Sequence, residues 1–276
     1  MPFLLLHPLQ NIGWATFTVH WSTVIGLAAL GGLYEWGAHR IGRPASLRPS
    51  RGQRVCFYAA LATIFLSLNG PLHDLSDYYL FSGHMVQHLL LTLLMPPLLL
   101  WGVPGWMLRP LLARPRVAAA AHRVTRANWT FALFNVVVAA WHVPAAYNTA
   151  MAYHPVHIAQ HLMFMAAAVL MWWPLLSPLA ELPRLSYPGQ MLYCFLMAIP
   201  MSIVAIYIAM ADRVLYPAYA AAPRMWGISP LEDQHIGGLI MWVPGGLFFV
   251  VVMSFVFFQW AKHQDDSEAA ANYRAA

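Results

Sequence analysis

Two matching histidine pairs carry the chemistry legible in this chain: His84 and His88 in GHMVQHLL, and His157 and His161 in VHIAQHLM. Each reads His-x-x-Gln-His-Leu and opens an apolar run of about 20 residues, the length that crosses a bilayer. Residues four apart share one helix face, so each pair predicts a two-imidazole patch at one end of a span. An imidazole set against lipid costs free energy, and ionisable groups within a span mark functional sites. The chemistry open to such a patch is metal ligation, haem ligation or proton movement.

More groups of the same kind lie near the pairs. His154, His157, His161 and Met165 climb one helix face at spacings of three, four and four. Met85 sits beside His84, and Trp141-His142-Val143-Pro144 places another imidazole where Pro144 should kink or end a helix. Asp233-Gln234-His235 opens the last apolar run. The candidate ligands are His84, His88, His142, His157 and His161. His73, Asp74, Asp77, His154, His235, Met85 and Met165 are accessory candidates, as further ligands or as groups that gather an ion. The two aspartates also read as solvated loop charges. Gln87 and Gln160, one turn from their histidines, are placed to orient a ring. Imidazole suits Cu, Zn, Fe and Ni, while thioether favours Cu(I). Histidine with nearby methionine and no usable thiolate favours copper, as Cu(I). Haem held by a cross-helix pair is the alternative, because two histidines on one helix cannot clamp both faces of one haem. Each histidine taken singly reads equally as a hydrogen-bonded packing residue.

The elements that must position these groups are helices in a membrane. Of 276 residues, 60% are hydrophobic and only 9% charged, with mean hydropathy +0.57, whereas soluble domains run near 25% charged. Seven apolar segments appear, at about 13–38, 54–70, 83–103, 129–147, 155–176, 189–211 and 234–260. They predict an all-α membrane protein, a seven-transmembrane-helix bundle forming one integral domain over 1–276. The third and fifth segments each open with the histidine motif, which suggests a weak parallel repeat.

Thirteen of the fifteen Lys and Arg fall in the loops after segments one, three and five and in the tail; only Arg213 and Arg224 lie opposite. The positive-inside rule then predicts an outer N-terminus and a cytoplasmic C-terminus in a bacterial plasma (inner) membrane. The formal charge of +5 is thus an orientation signal and a contact for anionic lipid, with no nucleic-acid partner expected. Ten of the thirteen histidines, including His7 and His20, map to the outer side. No Lys or Arg precedes Arg40, so no ordinary cleavable signal peptide is expected. Cys56 and Cys194 lie in different apolar runs and read as small buried hydrophobes. The single lysine, Lys262, lies beyond the last segment, which excludes a retinal Schiff base. There is no His-Glu-x-x-His motif, phosphate-binding glycine loop or Ser/His/Asp signature, so no enzyme activity is expected. A proton-coupled transporter needs a through-path, and the inner halves of the segments carry few ionisable groups.

Longer stretches resemble a known family. Pro71-Leu72-His73-Asp74, then His84 to Leu90, then Pro96-Pro97-Leu98-Leu99 are similar to the first signature of the CtaG family, assembly factors of caa-type cytochrome c oxidase. Trp141 to Pro144, His154-Pro155, His157, Gln160-His161-Leu162 and Trp172-Trp173-Pro174-Leu175 resemble its second, and Gly237 to Gly245 its closing helix. The likeness runs over about residues 15–260. It implies a seven-helix membrane fold and a role in copper delivery to the haem–copper centre. The implied partners are a membrane subunit of the oxidase and an outer-side copper chaperone. The family's second pair often has Glu before the last histidine; here position 160 is Gln, so that carboxylate is absent.

Overall fold

The computed structural model describes residues 18–41, 48–224 and 226–275, with side chains to residue 267. His7, Arg43 and the start of the first expected segment lie outside the described residues. Among those described, every regular element is helical: α1 (Trp21–Arg40), α2 (Arg51–Leu68), α3 (Gly70–Tyr78), α4 (Phe81–Leu89), a π-helical turn (Leu90–Leu94), α5 (Met95–Gly102), α6 (Gly105–Leu112), α7 (Pro115–Val124), α8 (Ala127–His142), α9 (Pro144–Ala152), α10 (His154–Leu176), α11 (Tyr187–Ala209), α12 (Pro217–Ala220) and α13 (Pro230–Ala275).

Four helical stretches are long and apolar enough to cross a membrane: Phe81–Gly102, His154–Leu176, Tyr187–Ala209 and Pro230–Ser267. The number becomes six if each of two bent pairs is one span: α2 with α3, bent by 42°, and α8 with α9, bent by 72°. The chain is thus built as a multi-pass membrane protein, with the bilayer forcing its backbone into helices.

Local chemistry sets the breaks. Ser50 and Gln53 close a reciprocal capping box that starts α2. Gly70, at φ 68°, supplies the left-handed turn between α2 and α3, and Pro71 opens the next helix. Val143, before Pro144, is extended, as a residue preceding proline prefers. The π turn precedes Pro96 and Pro97. Proline lacks an N–H and displaces the carbonyl four residues back. The carbonyl so freed, that of Thr92, instead accepts the Trp172 indole N–H of α10 at 2.9 Å. That bond ties the span of one histidine pair to the span of the other.

Pro244 lies inside α13, which runs unbroken through it. Glycines along α13 allow close packing: a Cβ on Gly245, beside Pro244, would lie 2.6 Å from Met201 Cε of α11. A Cβ on Gly238 would lie 2.6 Å from the Ala209 backbone nitrogen of α11, and one on Gly237 would lie 2.7 Å from Phe81 Cε1 and closer still to Cδ1. Small residues let membrane helices approach to backbone contact.

Candidate metal centre

Four helix ends converge on the histidines. The N-terminus of α4 is fixed by α13: the Asp233 carboxylate accepts from the Phe81 N–H at 2.6 Å, the Ser82 N–H at 3.1 Å and the Ser82 hydroxyl. An acceptor at a helix start satisfies donors that have no partner within the helix. Asp233→Ala is expected to cost about 1–3 kcal/mol, because the buried Phe81 N–H and the part-buried Ser82 N–H lose their partner. A thermal unfolding scan of the detergent-purified protein, with Asp233→Asn as the milder comparison, checks this.

His84, His88, His142, His157 and His161 are each 6% exposed or less, and the fold brings them together. One ligand atom each from His84, His157 and His161 lie within 4.8 Å of one another. His84 and His88 face each other Nε2 to Nε2 at 2.8 Å; His157 and His161 do the same at 2.9 Å. Across the helices, the ring centres of His84 stand 5.7 Å from those of His157 and His161, and His88 stands 5.7 Å from His161 and from His142. Phe164 packs on His88 at 4.5 Å.

The hydrogen-bond network assigns the protons. Tyr219 donates to the Ser76 carbonyl at 2.7 Å, its shortest contact. His84 Nδ1, 3.2 Å from the same phenol oxygen, then donates to it, leaving His84 Nε2 bare. Burial pushes the Tyr219 phenol well above its ordinary pKa, so it stays a donor. His157 Nδ1 lies 3.4 Å from Asp77, and a carboxylate favours N–H toward itself, leaving His157 Nε2 bare. In each pair the second histidine must donate through Nε2. Its Nδ1 is then bare, and both His88 Nδ1 and His161 Nδ1 lack a hydrogen-bond partner. His142 donates Nδ1–H to the Val138 carbonyl at 2.7 Å, and its Nε2 is also buried without a partner. Three bare, unpartnered imidazole nitrogens in one buried cluster fit a bound cation; the second ring nitrogen of His142 is tied to a carbonyl oxygen, as metal-ligating histidines have it, and those of His88 and His161 are tied to neighbouring imidazoles.

The accessory candidates divide. Asp77 is buried and stands 3.4 Å from both His73 and His157; it is on a helix, not a solvated loop. The Asp74 carboxylate accepts from the Thr18 hydroxyl. His154 and His73 line a cavity of about 760 Å³ between α1 and α10, with His157, His161, Met95 and Met165. His235 is tied to the Ala211 carbonyl at 2.8 Å, and Met85 packs beside Gly237. Gln87 bonds the Ser67 carbonyl, Ser76 and His73, whereas neither side-chain atom of Gln160 has a partner. Sequence reasoning missed Tyr219, Ser76 and Tyr147, whose phenol oxygen lies 2.9 Å from that of Tyr219 and whose ring stands 5.3 Å from His84, and placed His20 outside without assigning it; its ring stands 4.4 Å from His73.

A family model described as cytochrome c oxidase caa3 assembly factor matches residues 32–263. Uncharacterized proteins of Mycobacterium bovis and Mycobacterium tuberculosis are each 27% identical, over 71% of this chain and 32% of theirs. One of Mycobacterium leprae is 26% identical, over 94% of this chain and 42% of its own. The chain thus spans less than half the length of these curated relatives. No solved structure matches.

Proposed function

The chain belongs to the cytochrome c oxidase caa3 assembly factor family, and from that premise we propose that it binds copper among its buried imidazoles and passes it to a membrane subunit of the oxidase. The observation that carries this reading is the set of three histidines with ligand atoms within 4.8 Å of one another. The same interior holds Asp77, whose ion-pair partners among the described residues are the imidazoles of His73 and His157.

Charge selects the ion. Neutral imidazoles bring no negative charge, and a bare charge in an apolar interior is expensive. Asp77 is the carboxylate at ion-pair distance from a ring of the triad, and it balances one positive charge, while Asp74 and Asp233 are engaged by Thr18 and by the start of α4. Cu(I) is monovalent and accepts nitrogen ligands, whereas Cu(II) or Zn²⁺ would leave a second charge uncompensated. Copper here is cargo. His84, His88, His142, His157 and His161 hold it, and it leaves by ligand exchange to the client. His73, Asp74, His154 and His20 gather it at the outer mouth, where an outer-side chaperone would donate it.

The topology completes the reading. α1 adds a seventh span: its 20 residues cover about 30 Å, the hydrocarbon thickness. Arginine bias puts the N-terminus outside and the C-terminus in the cytoplasm of a bacterial plasma membrane, so the centre lies in the outer leaflet. The role is ion transfer during assembly, with no covalent catalysis.

The test is anaerobic Cu(I) loading of the detergent-purified protein beside His88→Ala/His161→Ala, which takes one imidazole from each pair. Wild type is expected to retain Cu(I) against a competing chelator, and the variant to lose more affinity than the roughly 10–100-fold cost of outer-sphere changes. The same variant should fail to support oxidase maturation in cells. Equal copper in both proteins, or none in either, refutes the reading. A Soret band at stoichiometric intensity would assign these histidines to haem instead.

A further inference from the structure

The structure assigns the five imidazoles to two stations rather than one, and we propose that His88 Nδ1 and His142 Nε2 form a separate two-coordinate site for Cu(I). This rests on the copper reading. His84, His157 and His161 form the outer, three-nitrogen station. His88 and His142 lie outside that triad, and each carries a buried nitrogen with no partner.

Proton placement forces the point. His142 is pinned at both ends: its Nδ1–H goes to the Val138 carbonyl at 2.7 Å, and its own carbonyl accepts from the Tyr216 phenol at 3.0 Å. Its Nε2 therefore offers only a lone pair. His88 spends its proton on His84 across the 2.8 Å contact, so its Nδ1 also offers only a lone pair. These two buried acceptors sit on neighbouring rings and neither has a donor; a species that takes electron pairs from both, or gives a proton to each, would join them.

Geometry and surroundings favour a cation. An imidazole nitrogen lies about 1.1 Å from its ring centre and a metal–nitrogen bond is about 2 Å, so an ion bridging two rings holds their centres at up to about 6 Å. The His88 and His142 ring centres stand 5.7 Å apart, with planes at 80°. Phe164 lies against both, at 4.5 and 5.9 Å. Among the described residues, no carboxylate lies at ion-pair distance from either ring; the histidines so paired are His39, His73 and His157. An apolar pocket with two neutral nitrogens suits a soft monovalent ion content with two ligands, and rejects a divalent one.

Position gives the site its use. His88 touches His84 and His161 of the outer triad on one side and His142 on the other. An ion leaving three nitrogens for two becomes easier to release, which a transfer step requires.

The test is X-ray absorption on Cu(I)-loaded protein, read with the copper stoichiometry. His157→Ala/His161→Ala removes the outer station and is expected to keep one Cu(I), with the intense edge feature of linear two-coordination. Adding His142→Phe is expected to abolish that ion. His142→Phe alone should still bind Cu(I) through three nitrogens, which also shows that this variant folds. If wild type binds Cu(I) and His157→Ala/His161→Ala binds none, the pocket holds a bridging water and the inner station is refuted while the copper reading stands. Copper that persists in the triple variant refutes it equally. No copper in wild type overturns both.

Discussion

Gly102→Ala is expected to destabilise the protein by about 3 kcal/mol or more, at or beyond the upper end of what overpacking costs. Gly102 closes α5 against α2. A Cβ there would meet the backbone of Phe57, lying 2.6 Å from its Cα and 2.7 Å from its Cβ, and closer still to its nitrogen. Backbone cannot swing aside as a flexible side chain can, so the two helices must separate. Separation disturbs the Tyr34 hydroxyl bond to the Gly102 carbonyl, 3.1 Å long, and the Tyr34–Phe57 stack, with ring centres 3.9 Å apart. Gly246→Ala is the control. Nothing lies within 4 Å of its Cβ position in α13, and alanine in a helix interior is favoured over glycine by about 0.5–1 kcal/mol. Thermal unfolding of the purified proteins and the yield of monodisperse material should fall sharply for Gly102→Ala and hold for Gly246→Ala. Equal behaviour of the two would mean that α2 and α5 are free to part.

The two histidine pairs and their helices were legible because they depend on spacing alone. Segment 83–103 is the stretch Phe81–Gly102, and segment 155–176 is His154–Leu176. The i, i+4 rule put His84 beside His88 and His157 beside His161, as the 2.8 and 2.9 Å contacts have them. Pro144 marked the 72° break that delivers His142. What spacing could not reveal arrives through distant chain. Tyr219 reaches His84 across 135 residues, and Asp233 caps α4 across 152; no local pattern encodes such pairs. The two glutamines make the point within one motif. Gln87 and Gln160 occupy the same position of the same hexapeptide, yet one is fully engaged and the other has no partner. The difference lies in α3, which brings Ser76 and His73 to Gln87. Asp77 was ambiguous for the same reason: a carboxylate in a polar stretch between apolar runs reads as solvated until the 42° bend folds α3 inward.

That buried carboxylate supports the second large effect. Asp77→Asn is expected to weaken Cu(I) binding by about 10–100-fold while leaving the fold nearly intact. Asn keeps the shape of Asp and can still accept from His73 or His157, so the packing survives. What disappears is the negative charge, 3.4 Å from His157 Nδ1. The charge holds the His157 tautomer with its Nε2 lone pair facing the cluster, raises the basicity of that nitrogen, and offsets the charge of the cation at close range. Asp74→Asn is the matched comparison, because its carboxylate engages Thr18 and no ring of the triad. It should slow copper uptake more than it lowers affinity, as the loss of a steering charge does. Chelator competition gives the affinities and a stopped-flow loading experiment gives the rates. A merely structural Asp77 would show the reverse pattern, with a lower melting temperature and an unchanged dissociation constant. Ion selectivity should survive the same substitution. With Asp77 neutral, Cu(I) leaves one charge uncompensated and a divalent ion two, so Cu(I) should lose affinity and keep its preference.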